Sequence, residues 1–113
     1  MHELAITQSM LDIVLEQAAK SDAKKVGMVN LIIGELSGFV EESVKFYFDL
    51  LAKDTIAAGA ILNFKPVSPQ ARCRNCHNLF GLREFDWSCP QCGGSDIEIT
   101  AGKELFVESI DIE

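Results

Sequence analysis

The alternation of apolar and polar positions predicts two amphipathic helices in the first half of the chain. The first helix begins at Thr7, whose hydroxyl can accept a backbone N–H of the first turn, and it follows a short predicted strand over residues 3–6. Its apolar positions share one stripe at helical spacing: Met10, Leu11, Val14, Leu15 and Ala18. The second helix spans residues 41–53, and its apolar stripe repeats every three or four residues: Val44, Phe48 and Leu51.

Three longer stretches carry the pattern of β-strands. Residues 26–36 are rich in β-branched side chains and almost continuously apolar, which predicts a strand that is covered on at least one face. A strand pattern returns over residues 60–67, after Gly59, and residues 103–112 alternate again near the end of the chain. Together with the two helices, these strands predict an α+β fold with a small mixed sheet.

The segment between the last two of these strands has a different character. Pro66 and Pro69 mark a boundary, and residues 70–98 hold all four cysteines, few aliphatic residues and several turn formers. We therefore predict a zinc-ribbon module that is inserted between two strands of the main sheet. The predicted division is an α/β domain of residues 1–68 and 100–113, and a ribbon domain of residues 69–99.

The cysteines follow the pattern C-x2-C-x12-C-x2-C at Cys73, Cys76, Cys89 and Cys92. Two residues between paired thiolates let one tight turn present both sulfurs to a single ion, and two such turns complete a tetrahedron. In the second turn the glycines after Cys92 allow the backbone to take positive φ. Four protein ligands leave no position for a substrate, so the pattern predicts a structural zinc site, with rubredoxin-like iron or an iron–sulfur cluster as alternatives.

Other interpretations of the cysteines explain less of the pattern. The segment from Cys73 to His77 matches the C-x-x-C-H of covalent haem attachment, but that would leave the second cysteine pair without a role. A disulfide or redox pair does not require a second pair at zinc-ribbon spacing. A nucleic-acid-binding ribbon needs a basic groove, whereas this segment has more acidic than basic side chains. His77 is interpreted as a surface residue or as a donor to a neighbouring ligand.

Composition and charge restrict the function further. A chain of 113 residues with 48 % hydrophobic residues can form a real core, and its net charge of −7 favours metal cations or a basic partner over nucleic acid. No apolar run approaches the roughly 18 to 20 residues that span a bilayer, and the first residues do not resemble a secretion signal. We therefore expect a cytoplasmic protein with reduced thiols and no membrane partner. No nucleophile–base pair or phosphate-binding loop is evident, so we do not expect an enzyme.

The amino terminus offers a second set of metal donors. Met1 is expected to remain, because methionine aminopeptidase generally needs a small residue where this chain has His2. The terminal amine and the His2 amide nitrogen can close a five-membered chelate ring on a metal ion. The same amide nitrogen and Nδ1 of the His2 imidazole can close a six-membered ring. Such nitrogen donors favour Ni(II) or Cu(II) over zinc. Glu3 can add its own amide or a carboxylate oxygen, and Glu41 and Glu42 are further acidic candidates if the fold brings them near. Taken alone, the donors do not distinguish a nickel site from a solvated terminal histidine.

From end to end, the chain resembles the HypA/HybF family of hydrogenase nickel-incorporation proteins. The resemblance rests on the Met1-His2-Glu3 start and on the Gly34-Glu35-Leu36-Ser37-Gly38 turn after the long strand. It also includes the aromatic-rich helix that follows and the two cysteine pairs near the carboxyl end. Each feature is common by itself, but all of them in this order within 113 residues are specific.

The resemblance implies a nickel-binding α/β domain with an attached zinc ribbon, and a metallochaperone that delivers Ni(II) to the large subunit of [NiFe]-hydrogenase. It implies the GTPase HypB as the partner that supplies or gates the metal, and some family members also serve urease maturation. By position, His2 corresponds to the nickel ligand with Glu3 beside it, and the four cysteines correspond to the zinc ligands. Some members carry an aspartate in the loop where this chain has Val40 and Glu41. The competing class is an acidic zinc-ribbon adaptor without a transferable metal.

Overall fold

A computed structural model of the chain describes residues 3–82 and 87–113. The described residues form two helices and six strands, and the strands make two three-stranded sheets. This confirms the predicted α+β fold. The elements, in chain order, are α1 (Glu3–Lys20), β1 (Val26–Gly34), α2 (Glu41–Leu51), β2 (Ile61–Val67), β3 (Gln70–Cys73), β4 (Leu79–Gly81), β5 (Ile97–Ala101) and β6 (Leu105–Ile112).

The chain separates into two compact units. The first unit contains both helices, and it comprises the chain up to Ile32 together with Phe39–Lys65 and Phe106–Glu113. The second unit comprises Ile33–Gly38 and Pro66–Leu105, and it contains β3, β4 and β5. The functional division expected from the sequence, with a nickel domain and a ribbon of residues 69–99, stays a prediction.

The strand predicted over residues 3–6 is wrong, because α1 already begins at Glu3. Four residues are too few to distinguish an alternating pattern from a helical one. The acidic Glu3 also suits the positive end of the helix dipole. Thr7, predicted as the cap of this helix, instead lies within it. The buried side chains of α1 form one stripe at helical spacing: Thr7, Met10, Leu11, Val14 and Ala18.

Thr7 is the polar member of this otherwise apolar stripe. Its side chain is fully buried, and its Oγ1 has no hydrogen-bond partner in the structure. Leaving a buried hydroxyl without a partner costs about 1–3 kcal/mol. The sequence pattern did not reveal this cost, because threonine is also an ordinary residue at the start of a helix.

The core of the first unit is built from buried side chains of the two helices and of the central strand β1. The helices α1 and α2 pack against each other, and α2 contributes the buried side chains of Val44 and Phe48. Alternate residues of β1, among them Val29 and Leu31, are also buried. The helical and strand periods therefore direct apolar side chains towards the same interior, as the sequence pattern predicts.

The sheet that contains β1 has the strand order β2-β1-β6, and β6 runs antiparallel to β1. Backbone hydrogen bonds join Lys25 to Glu113 at one end of this pair, and Gly34 to Glu104 at the other end. From the first hydrogen bond to the second, the residue number rises along β1 and falls along β6, which defines an antiparallel pair.

The neighbouring strand β2 runs parallel to β1. The Asn63 side chain donates to the Asn30 side chain (2.8 Å), and beyond the end of β1 the Glu35 N–H donates to the Val67 carbonyl (3.0 Å). From the first hydrogen bond to the second, the residue number rises along both strands, so the pair is parallel. Parallel pairing requires a long crossover connection, and the connection between β1 and β2 contains α2. The sheet is therefore mixed, as predicted.

The second unit contains a small antiparallel sheet with the order β4-β3-β5. On one face Ala71 of the central strand lies opposite Phe80 and Ile99, and on the other face Arg72 lies opposite Leu79 and Glu98. Ala71 is buried and Arg72 is exposed, so one face of this sheet is covered and the other is open. Within residues 3–82 and 87–113, neither helix is long and apolar enough to cross a membrane.

Candidate metal centre

The sulfur atoms of the four predicted ligands converge on one point of the second unit. One Sγ atom from each of Cys73, Cys76, Cys89 and Cys92 lies within 4.8 Å of all the others. The separation is 3.5 Å between Cys73 and Cys92, and 3.6 Å between Cys76 and Cys89. A tetrahedron of thiolates around zinc has edges of about 3.8 Å, since the Zn–S bond is about 2.3 Å. The donor set therefore fits zinc, and all four cysteines are free of disulfides.

The first cysteine pair is presented by the end of β3 and the turn that follows it. Cys73 is the last residue of β3, its N–H donates to the Asn78 carbonyl (2.9 Å), and its carbonyl accepts from the His77 N–H (2.8 Å). His77 reverses the chain here with a φ of 63°, in the left-handed region. His77 is exposed, which agrees with its interpretation as a surface residue.

The second pair lies on a turn whose shape depends on glycine. The Cys89 N–H donates to the Gly94 carbonyl, and the Gly93 N–H donates to the Cys89 carbonyl, both at 2.8 Å. Gly93 has a φ of 74°, as the sequence predicts for this turn. A Cβ on Gly94 would lie 3.4 Å from the Cys92 Sγ, so this glycine brings the backbone close to the sulfur.

Backbone amides favour ionisation of two of the four thiols. Hydrogen bonds from the N–H groups of Cys76 and Asn75 lower the pKa of Cys73. Burial opposes ionisation of Cys89, but the N–H groups of Cys92 and Gln91 outweigh it and lower the pKa of Cys89 to about 6. The backbone therefore favours the thiolate, the form that binds metal, at both of these sulfurs.

The other two thiols hold their protons more strongly. The Asn78 N–H favours the thiolate of Cys76, but partial burial and the neighbouring sulfurs raise its pKa to about 12. The Gly94 N–H similarly favours the thiolate of Cys92, but the sulfurs of Cys73 and Cys89 raise its pKa. Four negative charges do not accumulate in so small a space without a cation to neutralise them. The cluster can therefore hold a divalent ion, and with four sulfur donors it leaves no open position for catalysis.

The convergence of all four sulfurs also bears on the alternatives for the cysteines. Covalent haem attachment would take up Cys73 and Cys76 and leave the second pair apart from the first, whereas the structure unites both pairs. A redox-active pair would need the two sulfurs of one C-x-x-C segment to stand alone. The geometry supports neither arrangement.

The predicted nickel ligands lie only partly within the described residues. His2 lies outside the described residues, and Glu3 is the half-buried first residue of α1. Glu41 and Glu42 are exposed in the first turn of α2. A metal site needs several histidine, cysteine or acidic side chains close together. Among residues 3–82 and 87–113, one group of three or more such side chains is close enough to hold an ion, and it consists of the four cysteines.

Comparison with known proteins gives full-length matches. A family model described as hydrogenase/urease nickel incorporation, metallochaperone, HypA, matches residues 1–112. The chain is 48 % identical over 114 residues to the hydrogenase maturation factor HypA of Caldanaerobacter subterraneus subsp. tengcongensis, with complete coverage of both chains. It is 43 % identical over 113 residues to a HypA of Dehalococcoides mccartyi, covering the whole of this chain and 95 % of that relative.

Two solved structures share the fold. The solution structure of the Ni metallochaperone HypA from Helicobacter pylori is 25 % identical with a TM-score of 0.74, covering 99 % of this chain and 97 % of that chain. A second solution structure, of a HypA protein, is also 25 % identical with a TM-score of 0.80, covering 100 % of this chain and 97 % of that chain.

Proposed function

The chain belongs to the HypA family of nickel metallochaperones for hydrogenase maturation, and on that premise we propose that it binds Ni(II) at its amino terminus and delivers it to the large subunit of [NiFe]-hydrogenase. The observation that carries this proposal is the family match over residues 1–112, which includes the amino terminus and both cysteine pairs. A metallochaperone transfers its ion rather than converting a substrate, in agreement with the expectation that the chain is not an enzyme.

The four cysteines have the complementary role of holding a permanent zinc ion. Cys73, Cys76, Cys89 and Cys92 would be its ligands, and the ion would neutralise their thiolates and tie the two turns of the ribbon together. The backbone N–H groups around Cys73 and Cys89 lower the pKa of both thiols and so favour the ionised form that binds the ion. This site would retain its ion while the nickel cargo is exchanged.

The proposed nickel ligands are the terminal amine, the amide and imidazole of His2, and Glu3. Of these, Glu3 is the first residue of a helix that is anchored by its buried stripe, from Thr7 to Ala18, and the other donors precede it in the sequence. Donors at a chain end can be removed one at a time without disturbing that packing, which suits an ion that must be released. Amide nitrogens must lose their protons to bind, so acid should promote release.

The partners in this proposal are those of nickel delivery in the cytoplasm. The GTPase HypB would supply or gate the metal, the hydrogenase large subunit would receive it, and urease maturation proteins are a further class of recipient. The net charge of −7 favours docking against basic surfaces of such partners and disfavours nucleic acid.

Replacing His2 with alanine is expected to weaken nickel binding by more than about 100-fold, because the imidazole and its chelate ring are lost. Zinc content should stay unchanged, since the cysteine cluster is untouched. Isothermal calorimetry with untagged, zinc-loaded protein measures the nickel affinity. His77→Ala is the matched control, because His77 is the other of the two histidines in the chain.

Equal nickel affinity in the His2→Ala variant and the unmodified chain would contradict the assignment. A chain that holds one zinc and takes up no nickel would instead be a zinc-ribbon adaptor.

A further inference from the structure

The fully buried Thr7 hydroxyl is a polar group that the fold of the first unit does not use. The remaining members of its stripe on α1 are apolar, and Thr7 Oγ1 has no hydrogen-bond partner in the structure. Valine has nearly the same shape and would fill the position without leaving a buried hydroxyl unsatisfied. The hydroxyl therefore weakens the state that the structure shows.

Other hydroxyls of the first unit show how such a group is normally satisfied. Ser9, on the same helix, donates to the Ala5 carbonyl one turn back (3.2 Å). The Thr55 hydroxyl donates to the Ala52 carbonyl (2.7 Å) and accepts from the Ala57 N–H (3.1 Å). An acceptor one turn back on α1 is thus within reach of a hydroxyl, but Thr7 does not use it.

The position of Thr7 directs its side chain towards the start of α1. The Cα–Cβ bonds of a helix tilt towards its amino end, so a side chain covers the turn that precedes its own residue. For Thr7 that turn begins at Glu3, four residues earlier on the same helix face. Glu3 is also the last residue of the proposed nickel-binding sequence.

We propose that Thr7 is a positioning residue for nickel, whose hydroxyl donates a hydrogen bond to an oxygen of Glu3 when the ion is bound. Nickel ligation by the amino terminus removes amide protons and concentrates negative charge at the first turn. A donor next to charge forms a stronger hydrogen bond, and burial strengthens it further. The hydroxyl, which has no partner in the structure, would thus become a donor that holds Glu3 in its binding position. This inference rests on the proposed nickel site.

The variants Thr7→Val and Thr7→Ser test the inference in the full, zinc-loaded chain. Thr7→Val should raise the urea midpoint of the nickel-free protein, because it removes an unsatisfied hydroxyl, yet it should weaken nickel binding about tenfold. It should also shift the d–d absorption bands of bound nickel, a change that loss of packing alone would not cause. Thr7→Ser keeps the hydroxyl and should restore both the affinity and the spectrum.

Thr55→Val is the matched control, because the Thr55 hydroxyl is already hydrogen-bonded. It should lower the urea midpoint and leave nickel affinity unchanged. If Thr7→Val binds nickel as tightly as the unmodified chain while His2→Ala loses binding, the role of Thr7 is refuted and the proposed function stands. A lower urea midpoint for nickel-free Thr7→Val would also refute the inference, because the hydroxyl would then already have a partner. If the unmodified chain takes up no nickel, the proposed function fails as well.

Discussion

Replacing Cys89 with serine is expected to release zinc and to unfold the ribbon that contains β3, β4 and β5, while the helical unit keeps its structure. Between Gln70 and Leu105, the buried apolar side chains that the structure describes are Ala71, Cys73 and Cys89, and two of these belong to the four-cysteine cluster. Such a segment has almost no core apart from its ion. Zinc is worth about 10–16 kcal/mol in comparable peptides, as much as the whole stability of a typical domain.

The helical unit should respond differently because it has a core of its own. Its fully buried side chains include Leu11, Leu31 and Phe48. Amide resonances in a two-dimensional NMR spectrum should therefore collapse for the ribbon and stay dispersed for the helices, and mass spectrometry should find zinc absent after dialysis against a chelator.

Gln91→Ala is the matched control for this experiment. Gln91 lies in the same turn, but its backbone N–H rather than its side chain contacts the Cys89 sulfur. The control should keep its zinc and its ribbon resonances. A Cys89→Ser protein with full zinc content and an unchanged spectrum would show that the cluster is not what folds the ribbon.

Replacing Gly34 with alanine is expected to destabilise the protein by about 3 kcal/mol or more, at the upper end of the range for overpacking. A Cβ at this position would overlap the Gly102 carbonyl group and lie 2.7 Å from the Lys103 nitrogen. Both are backbone atoms, so no side chain can rotate away. The Gly102 carbonyl also accepts from the Leu36 N–H (2.6 Å), which ties the turn after β1 to the segment before β6.

Gly27→Ala, in the same strand, is the control for the Gly34 variant. The nearest atom to a Cβ at Gly27 is 3.6 Å away, an ordinary contact, so its effect should stay within about 1 kcal/mol. Urea unfolding of the zinc-loaded variants measures the difference. Equal midpoints for the two variants would mean that the close approach of Gly34 to Gly102 does not constrain the fold.

The elements with long, regular patterns were predictable from the sequence. The second helix is one example, since its predicted start at Glu41 is also the start of α2. The spacing of the cysteines predicts a cluster because each C-x2-C turn presents two sulfur donors and one ion can bind both pairs, independently of the rest of the fold. A metal site whose ligands are set by their spacing within a short segment can therefore be predicted without knowledge of the tertiary packing.

Other features depended on tertiary contacts that a local pattern does not contain. The strands β3, β4 and β5 have only three to five residues each, too short for a period to be recognised, and their pairing accompanies the cysteine turns rather than an apolar run. The burial of Thr7 within α1 depends on what packs against the helix, which the local pattern does not report. The approach of Gly34 to Gly102 joins residues far apart in the chain, and no local signal reports it.

In the proposed division of labour, the cysteine cluster keeps one ion and the amino terminus exchanges another. Native mass spectrometry after nickel addition distinguishes the two sites, on the chain with a free Met1 amine and on the same chain with that amine acetylated. Acetylation removes the amine as a metal donor and leaves every residue in place. We expect one zinc and one nickel per chain in the first protein, and one zinc without nickel in the second. Full nickel occupancy in the acetylated protein would show that the terminal amine does not bind the nickel.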